Sequence, residues 1–151
     1  MVLCIHADAD AATDTHTFDH KIHPAFTTVS AIQGQEVCKN LVAIVPIQMT
    51  EAWMLSDKDL LKAEVGTDKS NVELGLHRSP EDYADPKQAI EAAIRIARQG
   101  LTRRHRHELT ISELYLPIGQ KIALNNLENL SSYQKFKAAV RDAFVKLNYL
   151  Y

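Results

Sequence analysis

The run Leu41-Val42-Ala43-Ile44-Val45-Pro46-Ile47 constrains this chain most. It is apolar throughout and rich in branched side chains, which makes it the clearest strand in the sequence. A shorter apolar run, Val2-Leu3-Cys4-Ile5, stops at His6-Ala7-Asp8-Ala9-Asp10. It reads as a second buried strand, parallel, whose C-terminal end carries the carboxylates.

The rest of the pattern is helical. Phe18 to Ile32 is compatible with a helix interrupted at Pro24, and Thr50 or Gln48 opens another through Glu51, Trp53 and Leu55. That one breaks near Asp57 and continues at Leu60 and Leu61. Thr67 to Asp85 is polar and reads as a long loop. Asp85-Pro86 joins a capping carboxylate to a proline at the first helical position, and Ala89, Ile90, Ala93, Ile94 and Ala97 follow at helical spacing before Gly100. Thr110 with Glu113 and Ser131 with Gln134 are capping-box patterns. The final helix then carries Tyr133, Phe136, Val140, Phe144 and Leu147 on one stripe, which should pack against the body. No repeat or linker interrupts this order, so residues 1–151 read as a single α/β domain, helix-rich with a small, mostly parallel sheet.

Composition narrows the class. Hydrophobic residues at 46% and charged residues at 24% exclude a disordered or collagen-like chain. A formal charge of -2 excludes a protein that grips duplex nucleic acid with its whole surface. Any nucleic-acid contact must be local, or helped by a metal or a partner. The apolar start is broken by His6 and Asp8, too early for a signal-peptide core or membrane span, so a cytoplasmic protein is expected. Cys4 and Cys38 lie in or beside apolar runs and are expected as buried free thiols.

Five groups of residues carry chemistry. Asp8 and Asp10 leave a strand end two residues apart, and on extended chain both side chains point to one side. Close carboxylates repel, and a hard cation such as Mg²⁺ or Mn²⁺ relieves that cost at the strand edge where α/β ligands gather. The same pair also suits an acidic turn that caps the next segment. Glu51 follows the second strand and can complete a metal site or act as a general base; a favourable charge on the helix dipole accounts for it equally well. Trp53 suits a stacking platform but is expected as a core anchor. His16, His20 and His23 share a helical face in the manner of a zinc site, although Pro24 works against the helix that would align them. Arg103, Arg104 and Arg106, with His105 and His107, form the one concentrated basic run, suited to phosphate contact or to a solvated loop.

Taken in order, these segments resemble a bacterial family catalogued as domain of unknown function 4276, whose fold is TOPRIM-like. The stretches that carry the resemblance are His6-Ala7-Asp8-Ala9-Asp10, Val45 to Asp57 with its Glu51-Ala52-Trp53 core, Asp85-Pro86-Lys87, Ser112-Glu113-Leu114-Tyr115 and Ser132-Tyr133-Gln134-Lys135-Phe136. The resemblance implies a site of the type used by topoisomerases, primases and related nucleases. In that type a D-x-D pair, matched by Asp8 and Asp10, holds Mg²⁺, and a glutamate on an earlier strand handles a proton. It also implies organisation beside an AAA- or ABC-type ATPase, as in phage-defence systems. The earlier glutamate has no counterpart, because only Met1 precedes the Asp-bearing strand. Either the sequence is a fragment or shortened form of a TOPRIM-like domain lacking the first strand and helix, or the catalytic glutamate has been lost; in both cases the sheet is short, with an exposed edge open to a homodimer or a partner.

The function expected is Mg²⁺-dependent phosphodiester chemistry on nucleic acid, most simply cleavage, with Asp8 and Asp10 on the metal and Glu51 assisting. One rival is a non-catalytic module serving a partner ATPase. Another is a haloacid-dehalogenase-type phosphatase, which also follows its first strand with D-x-D; Ala12 stands where that class needs a hydroxyl or branched residue.

Overall fold

The computed structural model describes residues 1–34, 37–99 and 109–150. Two strands, β1 (Leu3–His6) and β2 (Leu41–Ile44), pair in parallel with Leu3 opposite Leu41 and His6 opposite Ile44. The pairing runs on past both strands, since Ala7 N–H donates to the Ile44 carbonyl and Ala9 N–H to that of Pro46, each at 3.0 Å. The whole apolar run from Val42 to Ile47 is therefore held at the sheet, with Val42 and Val45 enclosed.

β1 departs from its expected burial. Leu3, Cys4 and His6 are exposed and only Ile5 is half-buried. Among the described residues the sheet has two strands, so the outer edge of β1 and the Cys4–His6 side meet no packing layer. Both cysteines are free, as expected, but Cys4 is exposed rather than buried.

Helical structure spans residues 15–31 in three pieces: α1 (Thr15–Thr17), a π-turn (Phe18–Ile22) and α2 (His23–Ala31). The widened turn sits immediately before Pro24. Proline has no N–H and its ring crowds the carbonyl one turn back, and a π-turn at that point lets the helix continue. This segment covers one side of the sheet through Phe18, Ile22 and Phe26, packed with Ala9, Ala43 and Val45.

A larger helical core lies beyond β2. It is built from α3 (Glu51–Met54), α4 (Lys58–Val65), α5 (Pro86–Ala97) and α6 (Tyr115–Lys121), with Leu55, Leu61, Ile90, Leu114 and Ile118 fully enclosed. Local caps set these helices as the sequence requires: Asp57 accepts from Leu60 N–H at 2.9 Å and Asp85 from Gln88 N–H at 2.8 Å. Thr110 and Glu113 form their capping box around a short 3₁₀ turn, Ile111–Glu113. The polar stretch from Thr67 to Asp85 is more than a solvated loop. It carries a 3₁₀ turn at Pro80–Asp82, and it plugs the helical core with Leu74, Leu76 and Tyr83.

The last helices are α7 (Leu124–Leu127) and α8 (Ser131–Lys146), and α8 packs on β2. The capping box expected at Ser131 does not form, because Gln134 turns to Glu128. A distant carboxylate takes its place. Glu81 accepts the N–H and hydroxyl of Ser131 at 3.0 and 2.8 Å, and those of Ser132 at 3.0 and 2.6 Å. An anion there also complements the positive end of the helix. Trp53 ties α3 to the same point, its Nε1–H donating to Ser132 Oγ at 2.8 Å while its ring meets Tyr133 edge-on. That is the core-anchor role expected of it. The stripe on α8 is buried at Tyr133, but farther along Phe144 is 38% exposed.

Candidate functional site

The helical core and the sheet meet at the carboxyl ends of β1 and β2, and the acidic residues gather there. Asp8 lies just past β1. Its Oδ1 accepts both the backbone N–H and the hydroxyl of Thr50, each at 2.9 Å. Thr50 has spent its one hydroxyl proton on Asp8, so it must accept from His6, whose Nε2 lies 3.0 Å away. The network thus assigns the Nε2–H tautomer to His6, which also stands 3.4 Å from Asp8 Oδ1.

Glu51 begins α3, next in sequence to Thr50, and is only 7% exposed. Tyr115, the first residue of α6, donates its hydroxyl proton to Glu51 Oε1. Burial, the bond to Glu51 and the charges of Glu51, Asp8 and Glu91 push the Tyr115 phenol up to about 12. The phenol is therefore a neutral donor at ordinary pH, surrounded by carboxylates from the post-β1 segment, α3 and α5. Among the described residues no lysine or arginine pairs with Asp8, Glu51 or Glu91.

Asp10 stands apart. Its backbone is left-handed (φ 52°), as is that of Gln48 (φ 60°), and the two are clasped: Asp10 N–H donates to the Gln48 carbonyl at 2.7 Å, and Gln48 N–H to that of Ala11 at 3.0 Å. Such a conformation costs a non-glycine residue about 1–2 kcal/mol. The clasp ends the extended chain, so Asp10 does not follow Asp8 in the alternation of a strand. It is exposed, with Lys21 Nζ at 4.0 Å from its Oδ2.

No family model, curated protein or solved structure matches this chain. Its chemistry rests on the geometry of the cluster. The donors are all oxygens, the set that a hard cation takes and a soft one does not. Asp8 and Glu51 fit that role, and in both the hydrogen bonds described go to one oxygen of the carboxylate. Among the described residues no three His, Cys, Asp or Glu side chains converge as a complete metal-holding group.

The histidines do not align as a zinc site. His16 and His20 stack at 4.1 Å, His20 Nδ1 is engaged with the His16 carbonyl, and His23 turns to Asp19 at 3.6 Å. Arg103, Arg104 and Arg106 lie outside the described residues. Three members of the site carry no signal of their own in the sequence: Thr50, Tyr115 and Glu91. Tyr115 falls within the Ser112-Glu113-Leu114-Tyr115 piece of the family resemblance, which is the one clue that marks it.

Proposed function

We propose that this is a TOPRIM-like domain in which Asp8 and Glu51 hold Mg²⁺ or Mn²⁺ for phosphodiester chemistry on nucleic acid, cleavage in the first instance. The observation that carries the reading is Glu51: a buried carboxylate with no cationic partner among the described residues, fixed by Tyr115 beside a second carboxylate. Two such groups repel, and a divalent cation removes that cost. When bound, such an ion polarises a phosphoryl oxygen and lowers the pKa of an attacking water. The chain's own residues have separate tasks. Thr50 orients Asp8 through two hydrogen bonds. Tyr115 holds Glu51 by Oε1 and leaves Oε2 for the cation.

Calorimetric titration with Mg²⁺ tests this. Asp8→Asn should weaken binding at least tenfold, about 1.4 kcal/mol. Asp10→Asn should leave it within about threefold, a loss of no more than roughly 0.65 kcal/mol, because its carboxylate faces Lys21. Absent binding, or binding untouched by Asp8→Asn, refutes the site. The position of Asp10 favours a second reading, a non-catalytic module that serves an AAA- or ABC-type ATPase. Metal binding without metal-dependent cleavage of nucleic acid selects it.

A further inference from the structure

Tyr115 is fixed at both ends and open between them. Its backbone begins α6 between Leu114 and Ile118, both enclosed in the helical core, and its hydroxyl is spent on Glu51. Yet the residue as a whole is 40% exposed. The hydroxyl end is drawn in by a carboxylate that is itself buried, so the exposure falls largely on the ring. Among the described residues every ring–ring contact is made elsewhere, and none involves Tyr115.

The bond to Glu51 also fixes where this ring stands. A single carboxylate group lies between the phenol and Oε2, the oxygen left to the cation. A flat apolar surface held at two points loses little freedom when something is laid on it, which is how tyrosine serves as a rigid contact surface in recognition sites. The charges nearest the phenol are those of Glu51, Asp8 and Glu91, all negative. An anionic group reaches this corner only through a bound cation, whereas an uncharged aromatic group can lie directly on the ring.

We propose that the Tyr115 ring stacks a nucleobase of the substrate and so places the neighbouring phosphodiester at Asp8 and Glu51. The inference rests on reading that pair as the phosphodiester site, and it names the substrate class as single-stranded nucleic acid. A base inside a duplex is paired and stacked on its neighbours, and it must leave the helix before a protein ring can reach it. An unpaired strand offers its bases freely. Stacking on an aromatic side chain also tolerates any base, because each has a π-face. One stack beside one metal-bridged phosphate is the kind of local contact that a chain of net charge -2 requires, since it needs no broad basic surface.

The test compares Tyr115→Phe with Tyr115→Leu, because both lose the hydroxyl and only the second loses the ring. Fluorescence anisotropy in Ca²⁺ reads their affinities for a labelled oligothymidylate and for an abasic oligomer with the same number of phosphates. Tyr115→Phe should bind the thymidylate at least about fivefold more tightly than Tyr115→Leu, the low end of what one stacked base contributes. The two should bind the abasic oligomer equally, and their Mg²⁺ affinities by calorimetry should agree within about threefold. Tyr115→Met takes the place of Tyr115→Leu if circular dichroism shows the latter unfolded. Equal thymidylate binding by the two variants, the same difference on the abasic oligomer, or no thymidylate binding by the wild type overturns the stack; Asp8-dependent Mg²⁺ binding in the same preparations would leave the metal site standing. Ring-dependent binding without any Mg²⁺ affinity supports the stack and removes the metal site instead. Equal competition by duplex DNA overturns the single-strand assignment.

Discussion

Replacing Glu51 by glutamine separates a ligand from a structural support. The amide is isosteric, and its carbonyl oxygen still accepts the Tyr115 proton. What is lost is the charge-assisted part of that bond, about 0.5–1.5 kcal/mol. What is gained is relief from keeping a carboxylate 7% exposed with no cation beside it. These terms oppose each other at similar size, so the metal-free melting temperature should move by less than about 3 °C. With Mg²⁺ the two proteins should diverge. At a concentration 100 times the wild-type Kd, binding adds about 2.7 kcal/mol, or about 5–11 °C for a chain of this length. A tenfold weaker site adds only about 1.4 kcal/mol, or about 3–6 °C. Differential scanning calorimetry with and without Mg²⁺ reads both quantities from one sample. An unchanged Mg²⁺ shift in Glu51→Gln, or a metal-free loss above about 3 kcal/mol, would show that Glu51 is an anchor for α6 and not a ligand.

Two further outcomes follow from the packing. The Tyr115 phenol is raised above its ordinary value, so the neutral form is the one the fold favours. That contribution is complete below about pH 10 and lost as pH rises through about 12. Phenolate absorbance should place the Tyr115 midpoint above that of an ordinary tyrosine and return it downward in Glu51→Gln; a midpoint insensitive to Glu51 would break the link. Glu81→Ala removes the acceptor for both serines at the head of α8, and Ser132 is 2% exposed, so water cannot replace it. A loss of about 2–4 kcal/mol in urea denaturation is expected, and one under about 0.5 kcal/mol would refute the clasp.

What the sequence revealed and what it hid divide by range. Asp85 and the Thr110–Glu113 box were legible because each bonds a group three residues away, whereas Asp57 was read only as a break in the helix and not as the cap of the next one. Ser131 and Gln134 satisfy the same local rule, yet Glu81 wins the helix end from a distance of 50 residues, which no local pattern records. The apolar letters of β1 announced a strand but not its exposure, since burial depends on what packs over it. Asp8 and Glu51 could be named from their places after two strands. Tyr115 could not, because its tie to Glu51 joins positions 64 apart. Asp10 was misjudged for a different reason: alternation holds only while backbone stays extended, and the clasp with Gln48 ends it.

The docking of α8 on β2 has a bearing on how the chain is made. Ribosomal synthesis delivers β1 and β2 early, whereas the helix that covers β2 emerges only after every other described element. Until then the apolar run from Leu41 to Ile47 has no lid on that side, Glu81 has no helix to clasp, and the Trp53 indole lacks its serine. Contacts of such long range form slowly, and an uncovered strand pair is an invitation to pair with other chains. The nascent protein therefore passes through a stage in which its most β-prone segment is open to its neighbours, and chaperone dependence should fall once Lys146 has cleared the exit tunnel.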